Sequence, residues 1–318
     1  MAFVGRTLAL GLLLAACGSG PSPRHTTEKP EPGAPAAPTA PTSPTAPTEI
    51  TSPTAPTQPA AVRPFDRMLV IVLENTDAAV ALANPYLAAL AARGARLTDY
   101  HALTHPSYPN YLAMIAGSTF GIRDDDQRTL DAATVGDLLA AKGLAWKVYA
   151  QGYPGGCFLG DAYGTYRRKH VPFLSFAGVQ QSAACHQVVN ADQWPADLRA
   201  GALPAFTMYI PDMNNDGHDT DVTFAAAWLQ AFLEPLLADA AAMRGTLVVV
   251  TFDEASTASP DNRIYTVLLG PMVRPGSEWA ERTDHYSLLR TLENDFALGP
   301  LGRGDAAAHP FSDVFQGR

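Results

Sequence analysis

Two short runs constrain this chain more than anything else in it. Arg67–Leu73 reads RMLVIVL and Thr246–Phe252 reads TLVVVTF. Both are continuous, apolar and rich in β-branched residues, the pattern of strands covered on both faces. Such a sheet needs helices above and below it, and the flanking stretches supply them. Asn84–Arg93 reads as a helix ended by Gly94, and Tyr108–Ala116 as one ended by Gly117. Thr134–Lys142 starts on a capping threonine and closes at Gly143. Val222–Met243 reads as one long helix bent at Pro235, and His285–Phe296 is helical. Further strands are predicted at Ala95–Tyr100, Trp146–Ala150, Phe206–Ile210 and Ile264–Leu269. This alternation predicts an α/β fold with a mostly parallel central sheet. Residues 151–205 break the rhythm and read as an insertion packed near one end of the sheet.

The front of the chain is built differently. Of the 27 prolines, 13 fall within residues 18–64, where Ala37–Gln58 approaches a three-residue repeat of Pro-Thr plus a small residue. Proline lacks an amide donor and fixes φ, so this stretch predicts an extended tether rather than a helix or ladder. Residues 1–17 carry one Arg6, a short apolar run and Cys17. The run is too short to span a bilayer and suits a signal peptide. Residues 65–318 are then the globular domain. Its partner is not nucleic acid: the chain's formal net charge is −9, without the basic excess that phosphate backbones demand.

In open parallel sheets ligands bind beyond the carboxyl ends of the strands. There, Arg67–Leu73 runs directly into Glu74-Asn75, and Thr246–Phe252 into Asp253-Glu254. Phe206–Ile210 leads to Asp212, Asp216 and His218, and Ile264–Leu269 leads by loops to Asp284-His285. Two acidic groups at the tips of two buried strands repel unless they point apart, protonate or share a cation. Their oxygen-rich donor set favours a hard divalent ion. Ser107, between Pro106 and Pro109, opens a predicted helix whose amides and dipole favour an anion. A serine there can be a helix cap and nothing more. Bound to a metal, its hydroxyl becomes a nucleophile, with Asn110 one turn on as an amide donor to the same anion.

These pieces together resemble the phosphoesterase family, which holds acid phosphatases and bacterial phospholipases C within the alkaline phosphatase superfamily. The resemblance rests on Leu73-Glu74-Asn75, on His105 to Tyr111 (HPSYPNY) with Ala116-Gly117-Ser118, and on Asn215 to Asp219 (NDGHD). Thr251 to Glu254 (TFDE) and Asp284 to Thr291 (DHYSLLRT) complete it. Cys157, Tyr166, Arg168-Lys169-His170, Pro172-Phe173 and Cys185 resemble a segment that carries a disulfide in many relatives. The last four residues of the leader, Leu14 to Cys17, look like a bacterial lipobox.

The resemblance implies an alkaline-phosphatase-like three-layer α/β/α sandwich and a metal-dependent phosphoester hydrolase. Ser107 would form a phosphoserine, and Glu74, Asn75, Asp253 and Glu254 would hold one divalent metal with Ser107 completing its shell. Asn110 would hold a phosphoryl oxygen, and His218 would protonate the leaving group. His285 is a further active-site candidate. Wider relatives hold a second metal with an Asp and two His, and Asp212, His218 and His285 are candidates for it. Asp216 is a further second-metal or phosphate candidate. His105 suits a phosphate contact or a packed histidine equally.

A phosphomonoesterase is favoured over a phospholipase C acting on lipid diesters, because the domain is short. A non-catalytic envelope lipoprotein binding an anion or metal is the rival from another class. The lipobox implies lipidation at Cys17, hence a membrane anchor and a bacterial cell-envelope location, periplasmic or outer-surface. In that compartment Cys157 and Cys185 are expected to pair.

Overall fold

The computed structural model describes residues 63–256 and 259–316. The leader, its Cys17 and the tether up to residue 62 lie outside the described residues.

Among the described residues the central sheet has eight strands: β1 Arg67–Leu73, β2 Ala95–Leu97, β3 Trp146–Ala150, β4 Val188–Asn190, β5 Phe206–Ile210, β6 Thr246–Phe252, β7 Thr266–Leu269 and β8 Ser277–Trp279. Their order is β8-β2-β7-β6-β1-β5-β3-β4. β1 pairs in parallel with both β5 and β6, and β3 in parallel with both β5 and β4. β7 alone in this sheet runs antiparallel, against β6 and β2. Every residue of β6 is buried, as is every residue of β1 after Arg67, which is why both runs carry no polar face.

Helices α1 Ala78–Ala83, α2 Pro85–Arg93, α3 Ser107–Ala116, α4 Val135–Ala141, α5 Val222–Ala238 and α6 His285–Asp295 form the outer layers. α2 packs with α5, while α3 packs with α4 and α6. Asn84 caps α2 by accepting from the Tyr86 and Leu87 amides. Gly94 ends it where any Cβ would sit 2.2 Å from the Leu268 carbonyl oxygen, so the helix meets β7 too closely for a side chain. α3 ends at Gly117 in the left-handed region (φ 64°).

Several boundaries differ from the sequence expectation for local reasons. The long helix stops at Ala238, because Asp239 caps a new short helix through the Ala241 and Ala242 amides. Pro235 remains inside α5. The expected strand Ala95–Tyr100 divides: residues 95–97 join the main sheet, while Tyr100–His101 pairs with Thr283–Asp284. Ile264 makes only a bridge to Asp77, so β7 starts at Thr266. Running antiparallel, β7 ends away from the edge where β1, β5 and β6 end, and the chain must return through β8 to bring up Asp284 and His285.

Residues 151–205 are less separate than an insertion. They supply edge strand β4, and residues 168–170 pack against α3. Cys157 and Cys185 form a disulfide with Cα atoms 5.3 Å apart.

Candidate active site

Because β1, β5 and β6 are parallel neighbours, their carboxyl ends open on one edge. β1 delivers Glu74, β6 delivers Asp253 and Glu254, and the turn after β5 delivers Asp216. All four carboxylates are at most 2% exposed. Backbone bonds tie the turns together: the Asp253 amide donates to the Leu73 carbonyl, the Glu74 amide to Asp216, and the Thr76 amide to Glu254. Asn75 sits at φ 55°, a left-handed conformation that asparagine tolerates, and its amide donates to Asp253 Oδ1 at 3.2 Å.

Ser107 begins α3, and its hydroxyl is not spent on capping. It donates to Glu74 Oε2 at 3.1 Å. The Tyr108 amide is met instead by Asp125 Oδ1 at 3.0 Å, and Pro109 has no amide. The helix end therefore offers an anion fewer amides than its sequence suggests. Ser107 lines a cavity of about 300 Å³ with Asn75, Asp125, Lys169, His218 and Glu254.

The other oxygen of Glu74 faces the insertion. Tyr111 Oη donates to Glu74 Oε1 at 2.5 Å, and His170 Nε2 lies 3.3 Å from the same atom. The His170 ring stacks on Tyr111, and its Nδ1 lies 3.6 Å from Asp216 Oδ2.

Burial dominates the electrostatics here. It pushes the Glu74 carboxyl well above its ordinary range, with the neighbouring Asp253 and Asp216 adding to the effect. Burial likewise raises Asp216 to about 8 and Glu254 to about 9, with Asp253 a further cause for both, and Asp253 itself to about 6. The same burial, with Lys169, His218 and Arg167 adding to it, pushes His170 well below its ordinary value and keeps the imidazole neutral.

Atoms left without partners show what the cluster suits. Asp253 Oδ2, Asp216 Oδ2 and His170 Nε2 are buried and have no hydrogen-bond partner. Ligand atoms of Glu74, His170 and Asp216 all lie within 4.8 Å of one another. The Glu74 and Asp216 carboxylates and the neutral His170 imidazole fit a divalent cation, which would offset the repulsion between the buried acids. The sequence reading placed Glu254 and Asn75 among the ligands. Glu254 Oε2 is held by His105 Nδ1 at 2.8 Å, the Asn75 backbone amide meets Asp253, and both residues line the cavity. Asp216, expected as a second-metal or phosphate contact, lies with Glu74 and His170.

Residues 81–299 match the phosphoesterase family. The chain belongs to that family. An acid phosphatase of Aspergillus fumigatus is 36% identical over 258 residues, 77% of this chain and 58% of that enzyme. The chain covers 58–62% of the four fungal acid phosphatases it matches. A phosphatidylinositol-3-phosphatase of Mycobacterium tuberculosis is 33% identical over 261 residues, 80% of this chain and 85% of that one. Among solved structures, a protein in the alkaline phosphatase superfamily from Vibrio parahaemolyticus has a TM-score of 0.52 at 14% identity. It covers 80% of this chain and 73% of that one, and the likeness is one of fold.

Within this phosphoesterase fold, three expected site residues are used differently. Asp212 accepts from Thr165 Oγ1 and from the Asn214 and Asn215 amides, so its oxygens shape a turn rather than a metal site. His285 is fully buried, with Nε2 2.7 Å from the Asp253 carbonyl and Nδ1 3.2 Å from Tyr100 Oη. Both ring nitrogens are occupied, so His285 positions the Asp253 backbone from behind. Asn110 accepts from the Leu103 and Thr104 amides and donates to the Thr104 and Pro106 carbonyls. Its amide holds the loop that presents Ser107, in place of a phosphoryl oxygen.

His218 lines the cavity as expected, its Nδ1 2.8 Å from Asp219 Oδ1. His105 Nε2 is buried without a partner. Sequence reasoning did not place Lys169, His170, Asp125 or Tyr111 in the site. The signal available was the Arg168-Lys169-His170 run, whose charges have no business in a buried stretch unless something there needs them.

Proposed function

We propose that this protein hydrolyses phosphomonoesters through a phosphoserine at Ser107. The observation that carries this reading is the Ser107–Glu74 hydrogen bond at the floor of the cavity: a buried hydroxyl held by a carboxylate, not by its own helix. The related acid phosphatases and the phosphatidylinositol-3-phosphatase share this reaction class by name.

The substrate phosphoryl group enters the cavity beside the Lys169 ammonium and the Asn75 side chain, which meet its equatorial oxygens. Ser107 Oγ attacks phosphorus, and its proton passes along the existing hydrogen bond to Glu74 Oε2. The departing alkoxide takes a proton from His218, whose Nδ1 is held by Asp219, leaving Nε2 to carry it. Water then attacks the phosphoserine and gives its proton to His218. Phosphate leaves as Glu74 returns the proton to Ser107 Oγ. A divalent cation held by Glu74, Asp216, Asp253 and His170 would acidify the serine hydroxyl and offset charge on the phosphoryl oxygens.

The signal-like run in residues 1–17 supports a bacterial cell-envelope location for the reaction. The lipobox-like Leu14 to Cys17 would anchor the enzyme through a lipid on Cys17. The test is chemical trapping. Acid quenching during turnover of a radiolabelled phosphomonoester should leave label on the Ser107 peptide; label elsewhere, or none with turnover intact, would refute the mechanism.

A further inference from the structure

Three acids stand in a row at Asp124-Asp125-Asp126, between α3 and α4. Asp124 pairs with Arg128 at 3.0 Å, and the Asp126 side chain is largely exposed. Asp125 is placed differently: it lines the cavity over Ser107 together with Lys169. Its two carboxylate oxygens take two donors there. Oδ1 accepts from the Tyr108 amide at 3.0 Å, and Oδ2 lies 2.7 Å from Lys169 Nζ.

An incoming phosphoryl group would need the same two donors. The Tyr108 amide directly follows the serine, in the first turn of α3, where amides and the helix dipole favour an anion. It has one hydrogen, so it cannot serve Asp125 and a phosphoryl oxygen together. The Lys169 side chain is only 13% exposed, and an ammonium so covered needs an anionic partner. The buried acids that also attract it are committed elsewhere. Glu74 accepts from Ser107 and Tyr111, and Asp253 accepts from the Asn75 amide. The Asp125 side chain is 36% exposed, so water can take over its oxygens when they leave. Asp125 also lines the neighbouring cavity of about 570 Å³, whose wall includes Arg167 and Arg168.

We propose that the Asp125 carboxylate is an internal stand-in for the substrate's phosphoryl group, which displaces it from Lys169 and the Tyr108 amide before Ser107 attacks. The inference rests on the phosphomonoesterase reading and adds to it a residue that sets phosphate affinity. While the cavity is empty, Asp125 holds Lys169 in position. An anion that has not displaced it meets a like charge. Displacement lowers the affinity for every ligand that brings a phosphoryl group, the product included, so Asp125 also favours phosphate release.

The experiment uses the full chain with a divalent cation present. Inorganic phosphate is titrated by calorimetry, and kcat and KM are measured on 4-nitrophenyl phosphate. Asp125→Ala frees both donors; Asp125→Asn keeps an acceptor for the Tyr108 amide and frees Lys169 alone. In Asp125→Ala the phosphate Kd and the KM should both fall about tenfold, as they would if the donors were free in about a tenth of the wild-type molecules. Asp125→Asn should fall between that variant and wild type. In a Lys169→Met background most of the gain from Asp125→Ala should vanish, because the contested partner is gone. If Asp125→Ala, folded by circular dichroism, binds phosphate no more tightly than wild type, Asp125 supports the site instead of competing for it and the proposal fails. If Asp125→Ala does not fold, Asp125→Asn decides by the same criterion. If the variants bind phosphate more tightly but wild type hydrolyses no phosphoester, the competition stands and the phosphomonoesterase reading beneath it fails.

Discussion

Ser107 Oγ stands 3.1 Å from Glu74 Oε2, across 33 positions of sequence, with both side chains buried. The pair joins a helix start to a strand end, and it leaves the serine with a proton acceptor instead of a capping bond. Ser107→Ala should lower kcat on 4-nitrophenyl phosphate on the order of a thousandfold or more, because it removes the proposed nucleophile. Glu74→Gln should cost on the order of a hundredfold, through the lost acceptor. Circular dichroism should show both variants folded. Wild-type turnover in Ser107→Ala would remove the nucleophile assignment.

The cluster of buried carboxylates makes a prediction with a sign. Glu74, Asp216, Asp253 and Glu254 all have carboxyls raised by burial, so the metal-free folded state holds more protons than the unfolded chain. Their contribution is fully present below the ordinary carboxylate range and is lost as pH rises through about 6 to 9. His170, lowered, works the other way: its contribution is present above its ordinary value and is lost on acidification. Chelated protein should therefore melt at lower temperature at pH 9 than at pH 6. Adding a divalent cation to a hundred times its Kd should restore about 2.7 kcal/mol, roughly 5–10 °C in Tm, and its affinity should weaken as pH falls. Calorimetry across a metal panel checks this. A chelated protein whose Tm rises toward pH 9 would contradict the cluster.

What was legible in the chain, and what was not, follows from how local each signal is. β1 and β6 could be read because a strand covered on both faces has to be apolar throughout, and the acidic residues after them could only lie at its end. Ser107 was legible as the residue opening a helix between prolines. Whether its hydroxyl capped the helix was not, because that depends on Glu74 and Asp125 arriving from elsewhere. His170 and Lys169 lie in 3-10 turns without periodicity, and only packing against α3 brings them to Glu74. Asp212 and Asp216 are four residues apart in one turn. Both accept from backbone amides, and nothing local shows that only Asp216 keeps a bare buried oxygen.

That dependence makes the disulfide a testable part of the site. Cys157 and Cys185 close a loop with a sequence separation of 28, and the segment Arg168–His170 lies within it. On the chain-entropy model the cross-link contributes about 3–4 kcal/mol. The Cys157→Ser/Cys185→Ser double variant should lose roughly 10 °C in Tm. It should also weaken metal binding, because His170 is then less firmly held. Unchanged Tm and metal affinity would show that packing alone positions the segment.

A last prediction lies away from the catalytic cluster. Glu293 is fully buried in α6, with Oε1 accepting from the Leu301 amide and Oε2 3.6 Å from Arg290 Nη1, too far for a hydrogen bond. Burial first, and then the nearby Asp305, raise its carboxyl to about 7. Because the folded value is the higher one, its contribution is fully present below about 4.5 and is lost as pH rises through about 7. Glu293→Gln mimics the protonated acid in shape and does not titrate. At pH 4.5 the variant and the wild type should melt together. At pH 8 the variant should be more stable by about 1–2 kcal/mol, less than the full shift implies because the Arg290 attraction is lost. Urea melts at the two pH values decide it: a variant less stable than wild type at pH 8 would mean that Arg290 stabilises the Glu293 carboxylate by more than burial penalises it.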